Sequence, residues 1–313
     1  MKVIVQVPCL NEEKTLPLVL KSIPKKIKGV DSVEVLIIDD GSTDKTIEVA
    51  QKHGVKHFVK HAQRKGLARS FHDGVLKALE LGADVIVNTD GDNQYPQERI
   101  GDLVRPIIDG EADLVVGNRQ TDKIAHFSPT KKLMQKLGTK ILNMAAGTDV
   151  HDAPSGFRAY SRDTAMQLNI VTKFSYAMET FIQAGNKNMR IVNVPIVTNP
   201  KTRESRLFKN SWEHIRKSGS AIIRAFVMYR PVGLFVSVGI TMLVLGLIPF
   251  GRFLYFASVE TARGHIQSLI VGSVLLIAAF ISFALGVIAD LIRINRVLIE
   301  DGLEQSRRAR FDK

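Results

Sequence analysis

Cysteine is nearly absent. Cys9 stands alone among 313 residues, so no internal disulfide can form and the chain suits a reducing compartment. No G-x-G-x-x-G follows the first apolar run and no G-x-x-x-x-G-K-[ST] occurs, which sets aside a dinucleotide fold and a P-loop. Met1 to Val7 lacks a basic start ahead of a long apolar stretch, so no signal peptide is expected. Charge is missing from two runs, Pro231 to Phe250 and Ile266 to Ala289. Each is long enough for a hydrocarbon core of roughly 30 Å, which takes about 20 helical residues.

What charge there is lies unevenly. The chain carries +12, from 43 basic and 31 acidic residues, a balance suited to an anionic membrane surface or a phosphorylated substrate. Arg216, Lys217, Arg224 and Arg230 precede the first run, and Arg293, Arg296, Arg307, Arg308 and Arg310 follow the second. Between the runs, a short polar connection is expected to hold Arg252, Glu260, Arg263 and His265. The positive-inside bias then puts the large N-terminal domain and the C-terminal tail on the cytoplasmic face. Trp212 to Tyr229 mixes basic residues with Ile215, Ile222, Phe226 and Val227, as an interfacial amphipathic helix does. The expected division is a soluble domain over 1–210, a juxtamembrane helix over 211–230, two spans over 231–290 and a basic tail over 291–313. The spans would pack on each other or on those of a second copy. No nucleic-acid motif accompanies the basic residues, so no nucleic-acid partner is expected.

In the first 120 residues strand and helix patterns alternate. Val3 to Val7, Val33 to Ile38, Val55 to Val59, Val85 to Val87 and Leu114 to Val116 are apolar runs, as in buried parallel strands. Helices are expected over Glu12–Ile23, Thr43–Lys52 with Ser42 as N-cap, Leu67–Leu81 and Glu98–Asp109. That alternation argues an α/β fold with a mostly parallel sheet, whose ligands sit beyond the carboxyl ends of the strands. Polar residues follow each strand there: Asn11 and Glu12, Asp39 and Asp40, Asp90 and Asp92, Asn118 and Arg119. Clustered carboxylates repel one another, and a bound cation would relieve the repulsion. Asp90-Gly91-Asp92, followed by Gln94, offers two carboxylates to a divalent Mg²⁺ or Mn²⁺ that takes its remaining oxygens from a diphosphate. Asp40, ahead of Gly-Ser, is equally suited to hold a turn. Arg64-Lys65-Gly66 opens the third helix, either as an anion site or as a plain helix start. His53, His57 and His61 straddle an expected strand and share no helical face, so no zinc site is expected.

The motifs VPCLNEE (Val7 to Glu13), IIDDGSTD (Ile37 to Asp44) and TDGDNQYP (Thr89 to Pro96) resemble family 2 glycosyltransferases of the GT-A fold, and among them the polyprenyl- and dolichyl-phosphate sugar synthases. The resemblance continues through VVGNR (Val115 to Arg119), DAPSGFRAYSR (Asp152 to Arg162) and TRESRL (Thr202 to Leu207). It implies that Pro8, Leu10, Glu12 and Asp39 line the nucleotide pocket and that Asp90 and Asp92 hold the metal with Gln94. One departure is Gly91, where an alanine is common in the family. The resemblance further implies a nucleotide-sugar donor and a polyprenyl-phosphate acceptor. Such an acceptor is already anionic and needs cations more than a base to hold it. Arginine suits this by its two-point fork. The candidates are Arg119, Arg158, Arg203 and Arg206, with Lys131 and Lys132. Asp152 would orient the sugar or hold Arg158, and Glu179 would contact sugar hydroxyls; either acid is equally readable as structural. Asp92, Arg119, Asp152 and Arg203 form the expected catalytic set for an inverting single displacement. Against a processive polysaccharide synthase stand the two spans, too few for a channel, and the lack of a Q-x-x-R-W motif. Against a non-catalytic binding module stands the full set of acids.

Overall fold

The computed structural model of the chain describes residues 1–120, 129–170, 176–200, 231–258 and 266–311. They fall into two units, Met1–Ile222 with Glu300–Lys313, and Ile223–Ile299.

The first unit is built on a seven-stranded sheet in the order β3-β2-β1-β4-β6-β5-β7. The strands are β1 (Lys2–Cys9), β2 (Ser32–Asp39), β3 (His57–Lys60), β4 (Val85–Asn88), β5 (Leu114–Asn118), β6 (Arg158–Ser161) and β7 (Ile191–Pro195). β1, β2, β3 and β4 pair in parallel, as do β5 and β7. β6 alone runs against its neighbours, between β4 and β5. Val3, Val5, Val7, Ile37, Val85, Val87 and Val115 are buried in one core, because helices cover the central strands, while the outer strands β3 and β7 are only partly buried. The helices are α1 (Leu16–Ser22), α2 (Thr46–Lys52), α3 (Leu67–Glu80), α4 (Ile100–Ile108, entered through a 3₁₀ turn at Gln97–Arg99), α5 (Pro129–Ala146), α6 (Arg162–Gln167) and α7 (Tyr176–Asn186). In α3, Ala68, Phe71, Val75, Ala78 and Leu79 are buried at helical spacing. A methyl group at Gly74 would stand 2.9 Å from Ile38 and closer still to Gln6, so this glycine lets α3 lie against the sheet. The strand order reverses at β1, whose neighbours are β2 and β4. In open α/β sheets that reversal opens a crevice at the strands' carboxyl ends.

Two helices begin later than expected, for the same reason. α1 starts at Leu16 rather than Glu12, and α2 at Thr46 rather than Thr43. The intervening residues bond each other across the sheet edge: Asn11 N–H donates to Ser42 Oγ at 2.9 Å, and Glu12 N–H to Thr46 Oγ1 at 2.8 Å. Ser42 therefore latches two loops and does not cap a helix.

The second unit is a pair of long helices, α8 (Pro231–Ser258) and the first part of α9 (Ile266–Phe311). Both are long and apolar enough to cross a membrane. They pack on each other through small residues. A methyl at Gly239 would collide with the Phe283 ring, and one at Gly246 would stand 3.2 Å from the Gly272 carbonyl. Ser282 Oγ donates to the Phe235 carbonyl at 2.8 Å, a pattern typical of helices associating in lipid. Arg252, expected in the connection, lies inside α8, which runs on to Ser258. Residues 291–313, expected as a separate tail, are helical through Phe311, and from Glu300 they belong with the first unit. Arg307 Nη1 donates there to the carbonyls of Met166 at 2.9 Å and Leu168 at 2.7 Å. The amphipathic segment 211–230 lies outside the described residues.

Candidate active site

The first wall of the site is made by the ends of β1 and β2. Pro8 is buried in β1, Leu10 is half-buried and Glu12 is buried. Asn11, with φ 54°, turns the chain sharply, and its Oδ1 accepts Thr43 N–H at 2.8 Å. Asp39 is buried and accepts Ser42 N–H at 3.2 Å. Asp40 behaves differently. Its carboxylate accepts the N–H groups of Lys65 at 2.8 Å and Gly66 at 2.9 Å, and His61 Nδ1 lies 2.9 Å away. Asp40 is thus a structural clasp, and it supplies the anion at the residues that lead into α3. Of the three spaced histidines, His57 pairs with Glu34 and His61 bridges Asp40 and Asp73. Among the described residues no three His, Cys, Asp or Glu gather as a metal cluster.

The second wall is the loop after β4. Asp92 accepts from Gln94 twice, from its N–H at 3.1 Å and its Nε2 at 2.9 Å, so Gln94 orients the carboxylate. Asn93 has φ 59°. Asn199, beyond β7, ties the loop down. Its Nδ2 donates to the carbonyls of Asn93 and Tyr95 at 3.1 Å each, and its N–H to that of Gln94 at 2.9 Å. No local signal marked Asn199, because its partners are a hundred residues away. Gly91 rests on β1, where a methyl would stand 3.1 Å from Cys9 Sγ and 3.3 Å from Glu12 Cγ. Burial, reinforced by Glu12, Asp39 and Asp90, pushes the Cys9 thiol well above its usual range. It stays protonated and is no nucleophile. The same acids that act on it are those expected to gather at this edge.

The third wall joins the end of β5 to the turn before β6. Arg119 is gripped by Asp152: Nε reaches Oδ2 at 2.7 Å, Nη2 reaches Oδ1 at 2.8 Å, and the Arg119 N–H adds a bond at 3.0 Å. Burial alone would loosen the Arg119 proton, but the carboxylates of Asp152 and Asp90 hold the guanidinium charged. Burial also pushes the Tyr95 hydroxyl up to about 12. Asp152 therefore holds Arg119 and not Arg158. Arg158 leaves the acceptor set altogether. It is fully buried, and its guanidinium donates to the carbonyls of Ala153, Ser155 and Ala177 and to Thr180 Oγ1. No phosphate can reach a fork spent on backbone. Glu179 is buried on α7. Lys131 and Lys132 fall in α5, and their side chains, with Arg203 and Arg206, lie outside the described residues.

Asp90 and Asp92 at one strand end, with Gln94 steering the second, fit a hard divalent ion. Two carboxylates leave most of an octahedral shell to phosphate oxygens and water, as Mg²⁺ and Mn²⁺ sites on diphosphates do.

The profile of Glycosyl transferase family 2 matches residues 4–168. The low-salt glycan biosynthesis hexosyltransferase Agl6 of Haloferax volcanii is 28% identical over 285 residues, covering 88% of this chain. The chain spans 65% of that relative's length. The undecaprenyl-phosphate mannosyltransferase of Micrococcus luteus is 28% identical over 206 residues, covering 63% of this chain and 83% of that protein. Among solved structures, glucosyl-3-phosphoglycerate synthase from Mycobacterium tuberculosis, in complex with Mn²⁺, UDP and glucosyl-3-phosphoglycerate, aligns with a TM-score of 0.53 at 22% identity. It covers 72% of this chain and 78% of its own. That likeness establishes the GT-A fold.

Proposed function

The chain belongs to glycosyl transferase family 2, and from that premise we propose that it moves a sugar from a UDP- or GDP-sugar onto a polyprenyl phosphate, of the undecaprenyl or dolichyl kind, with inversion at the anomeric carbon. The observation that carries this reading is the charged Arg119 held by Asp152 near Asp90, in a chain that also bears two helices fit to cross a membrane. A nucleoside diphosphate needs acids and a cation. A lipid phosphate needs an arginine beside them and a membrane to come from. Relatives named as an undecaprenyl-phosphate mannosyltransferase and a polyprenol monophosphomannose synthase support the acceptor class.

In this reading Pro8, Leu10, Glu12 and Asp39 receive the nucleoside, and Asp90, Asp92 and Gln94 face the diphosphate. Asp90 and Asp92 would hold a Mg²⁺ or Mn²⁺, which would supply charge to stabilise the leaving diphosphate. Arg119 binds the acceptor phosphate. Two of its donors are taken by Asp152, and among the described residues Nη1 has no partner and is left to meet an oxyanion. Asp152 acts as the positioning residue that fixes this fork. Lys131, Lys132, Arg203 and Arg206 add positive charge around the acceptor, and Glu179 meets sugar hydroxyls. The acceptor oxygen is already ionised at neutral pH, so no strong general base is needed. The catalytic domain and the chain's end lie on the cytoplasmic face. This is supported by the basic residues flanking the two apolar runs and by the grouping of Glu300–Lys313 with the N-terminal unit.

The test uses purified protein in detergent with Mn²⁺, undecaprenyl phosphate and a panel of UDP- and GDP-sugars. Lipid-dependent release of nucleoside diphosphate with one donor, lost in Asp92→Ala, is the expected result. Release that does not depend on the lipid phosphate, or that is restored by a soluble phosphorylated acceptor alone, would overturn the acceptor assignment.

A further inference from the structure

Below Asp90 lies a buried polar truss that the reaction itself does not call for. Asn88, the last residue of β4, is fully buried. Its Oδ1 accepts from Gln6 Nε2 at 3.0 Å, and its Nδ2 donates to the Gly156 carbonyl at 2.8 Å and to Tyr176 Oη at 2.9 Å. The Gly156 N–H donates in turn to Tyr95 Oη at 2.8 Å. Both backbone groups of Gly156 are therefore held by side chains that flank the acidic loop, two residues before Asp90 and three after Asp92. A core would not need this. An apolar contact would fill the space at lower risk, since each buried polar group must find a partner.

The geometry at Gly156 says what the truss is aimed at. A methyl there would stand 2.8 Å from Tyr176 Oη and 3.5 Å from each carboxylate oxygen of Asp90. The phenol oxygen and the carboxylate thus approach the same point, which is open only because residue 156 has no side chain. The ring of Tyr176 cannot swing away, because it stacks on Phe71 with centroids 4.1 Å apart and planes within 11°. Its oxygen already accepts from Asn88, so its O–H is left to turn toward that shared point.

We propose that Tyr176 is a positioning residue for Asp90: the phenol, fixed by Phe71 and Asn88, sets the orientation of that carboxylate across Gly156 and so sets the affinity for the divalent ion. The proposal rests on the reading of Asp90 and Asp92 as the metal pair. Groups that orient ligating carboxylates from outside the coordination shell are typically worth about 10–100-fold in metal affinity. Tyr176 lies 84 residues further along the chain than Asp92 in numbering, in a stretch whose aromatic character otherwise reads as core.

The experiment measures the Kd for Mn²⁺ by electron paramagnetic resonance, with saturating UDP and with GDP in parallel, on the full-length protein in detergent. The variants are Tyr176→Phe, which keeps the stacked ring, Gly156→Ala, which puts a methyl at the shared point, and Asp92→Ala. Expected are an increase of about tenfold in the Mn²⁺ Kd for both Tyr176→Phe and Gly156→Ala, with metal-free nucleotide binding unchanged, and loss of Mn²⁺ binding in Asp92→Ala. If Asp92→Ala loses Mn²⁺ while either folded variant binds it as the parent does, the role of Tyr176 is wrong and the metal pair stands. If Asp92→Ala keeps Mn²⁺ binding, the metal reading fails and the proposal falls with it.

Discussion

Arg119 meets Asp152 at two points, Nε to Oδ2 at 2.7 Å and Nη2 to Oδ1 at 2.8 Å, and the carboxylate is wholly buried while the guanidinium remains 20% exposed. The asymmetry gives the pair a direction. The carboxylate is anchored inside, and the guanidinium reaches toward solvent. Asp152→Asn keeps the shape but drops the charge, so it should raise the KM for undecaprenyl phosphate about tenfold, the loss of one charge-assisted bond. Nucleotide affinity should not change. Asp152→Ala leaves Arg119 without its partner and should also cost about 3 kcal/mol of stability. Initial rates against lipid, nucleotide titration and thermal denaturation separate these effects. An Asp152→Asn variant with an unaltered lipid KM would remove Arg119 from the acceptor site.

Arg158 should behave in the opposite way. Its Nε donates to Ser155 O at 2.8 Å, and Nη1 to Ala177 O and Thr180 Oγ1 at 2.9 Å each. Lysine has no fork to reach the turn before β6 and α7 at once. Arg158→Lys should lower stability by about 3 kcal/mol through the bonds left unmade. At temperatures where the variant is folded, its lipid KM should match the parent. A folded, stable Arg158→Lys with weakened lipid binding would return this residue to the acceptor set.

Those two arginines show what the sequence could and could not reveal. Both follow a glycine within a few residues and both sit in motifs of the family. Arg119 follows the apolar run Leu114 to Val116 by three residues, so its place at the sheet edge was legible. Arg158 begins β6, a strand of four residues that runs antiparallel between β4 and β5. No local pattern announces such an insertion, and only tertiary contact decides that an arginine spends its donors on carbonyls. The same holds for Asp39 and Asp40. They are adjacent and identical in type, yet they take different roles, because consecutive residues leaving a strand face opposite sides. The charge-free lengths of α8 and α9 were legible because a bilayer imposes length and composition directly. The docking of Arg307 on α6 was not, since a basic tail after a span reads first as a headgroup contact.

His72 predicts how stability follows pH. Burial holds its imidazole below the usual 6.5, against the pull of Asp73, whose Oδ1 lies 3.1 Å from Nδ1. The unfolded chain therefore binds this proton more readily than the folded one. Stability from the neutral ring is present above 6.5 and is lost as pH falls through the lower folded value. Asp73 adds an acid limb of the same sign. Burial opposes the shift, but bonds to His72 and Arg69 bring its pKa below 3.8, so its contribution fades as pH drops further. His72→Gln should flatten the Tm profile in the step just below 6.5 and shrink the acid limb to the part that Arg69 supplies. Thermal denaturation across pH in both proteins is the check. A parent profile flat through that step would show that His72 is no more neutral in the folded state than in the unfolded one.

The end of α9 gives the last prediction. Arg307 donates to the carbonyls of Met166 and Leu168, at the exit of α6. Arg308 pairs with Asp163 at 2.9 Å, and Glu304 lies 3.7 Å from Lys187. Arg310, three residues from Arg307, is exposed and lies over the Phe311 ring. If positive charge near the membrane were the whole purpose of these residues, Arg307 and Arg310 would be interchangeable. The contacts say they are not. Arg307→Ala removes charge-assisted bonds to two carbonyls and should cost about 2 kcal/mol of stability. Arg310→Ala removes an exposed charge and should cost a few tenths at most. Binding of the two variants to liposomes containing anionic lipid, measured by flotation, should rank the other way, with Arg310→Ala weakened and Arg307→Ala close to the parent. Equal loss of stability in both variants would mean that the arginines serve the helix itself. Equal loss of liposome binding would mean that Arg307 is a headgroup contact in spite of its bonds to α6.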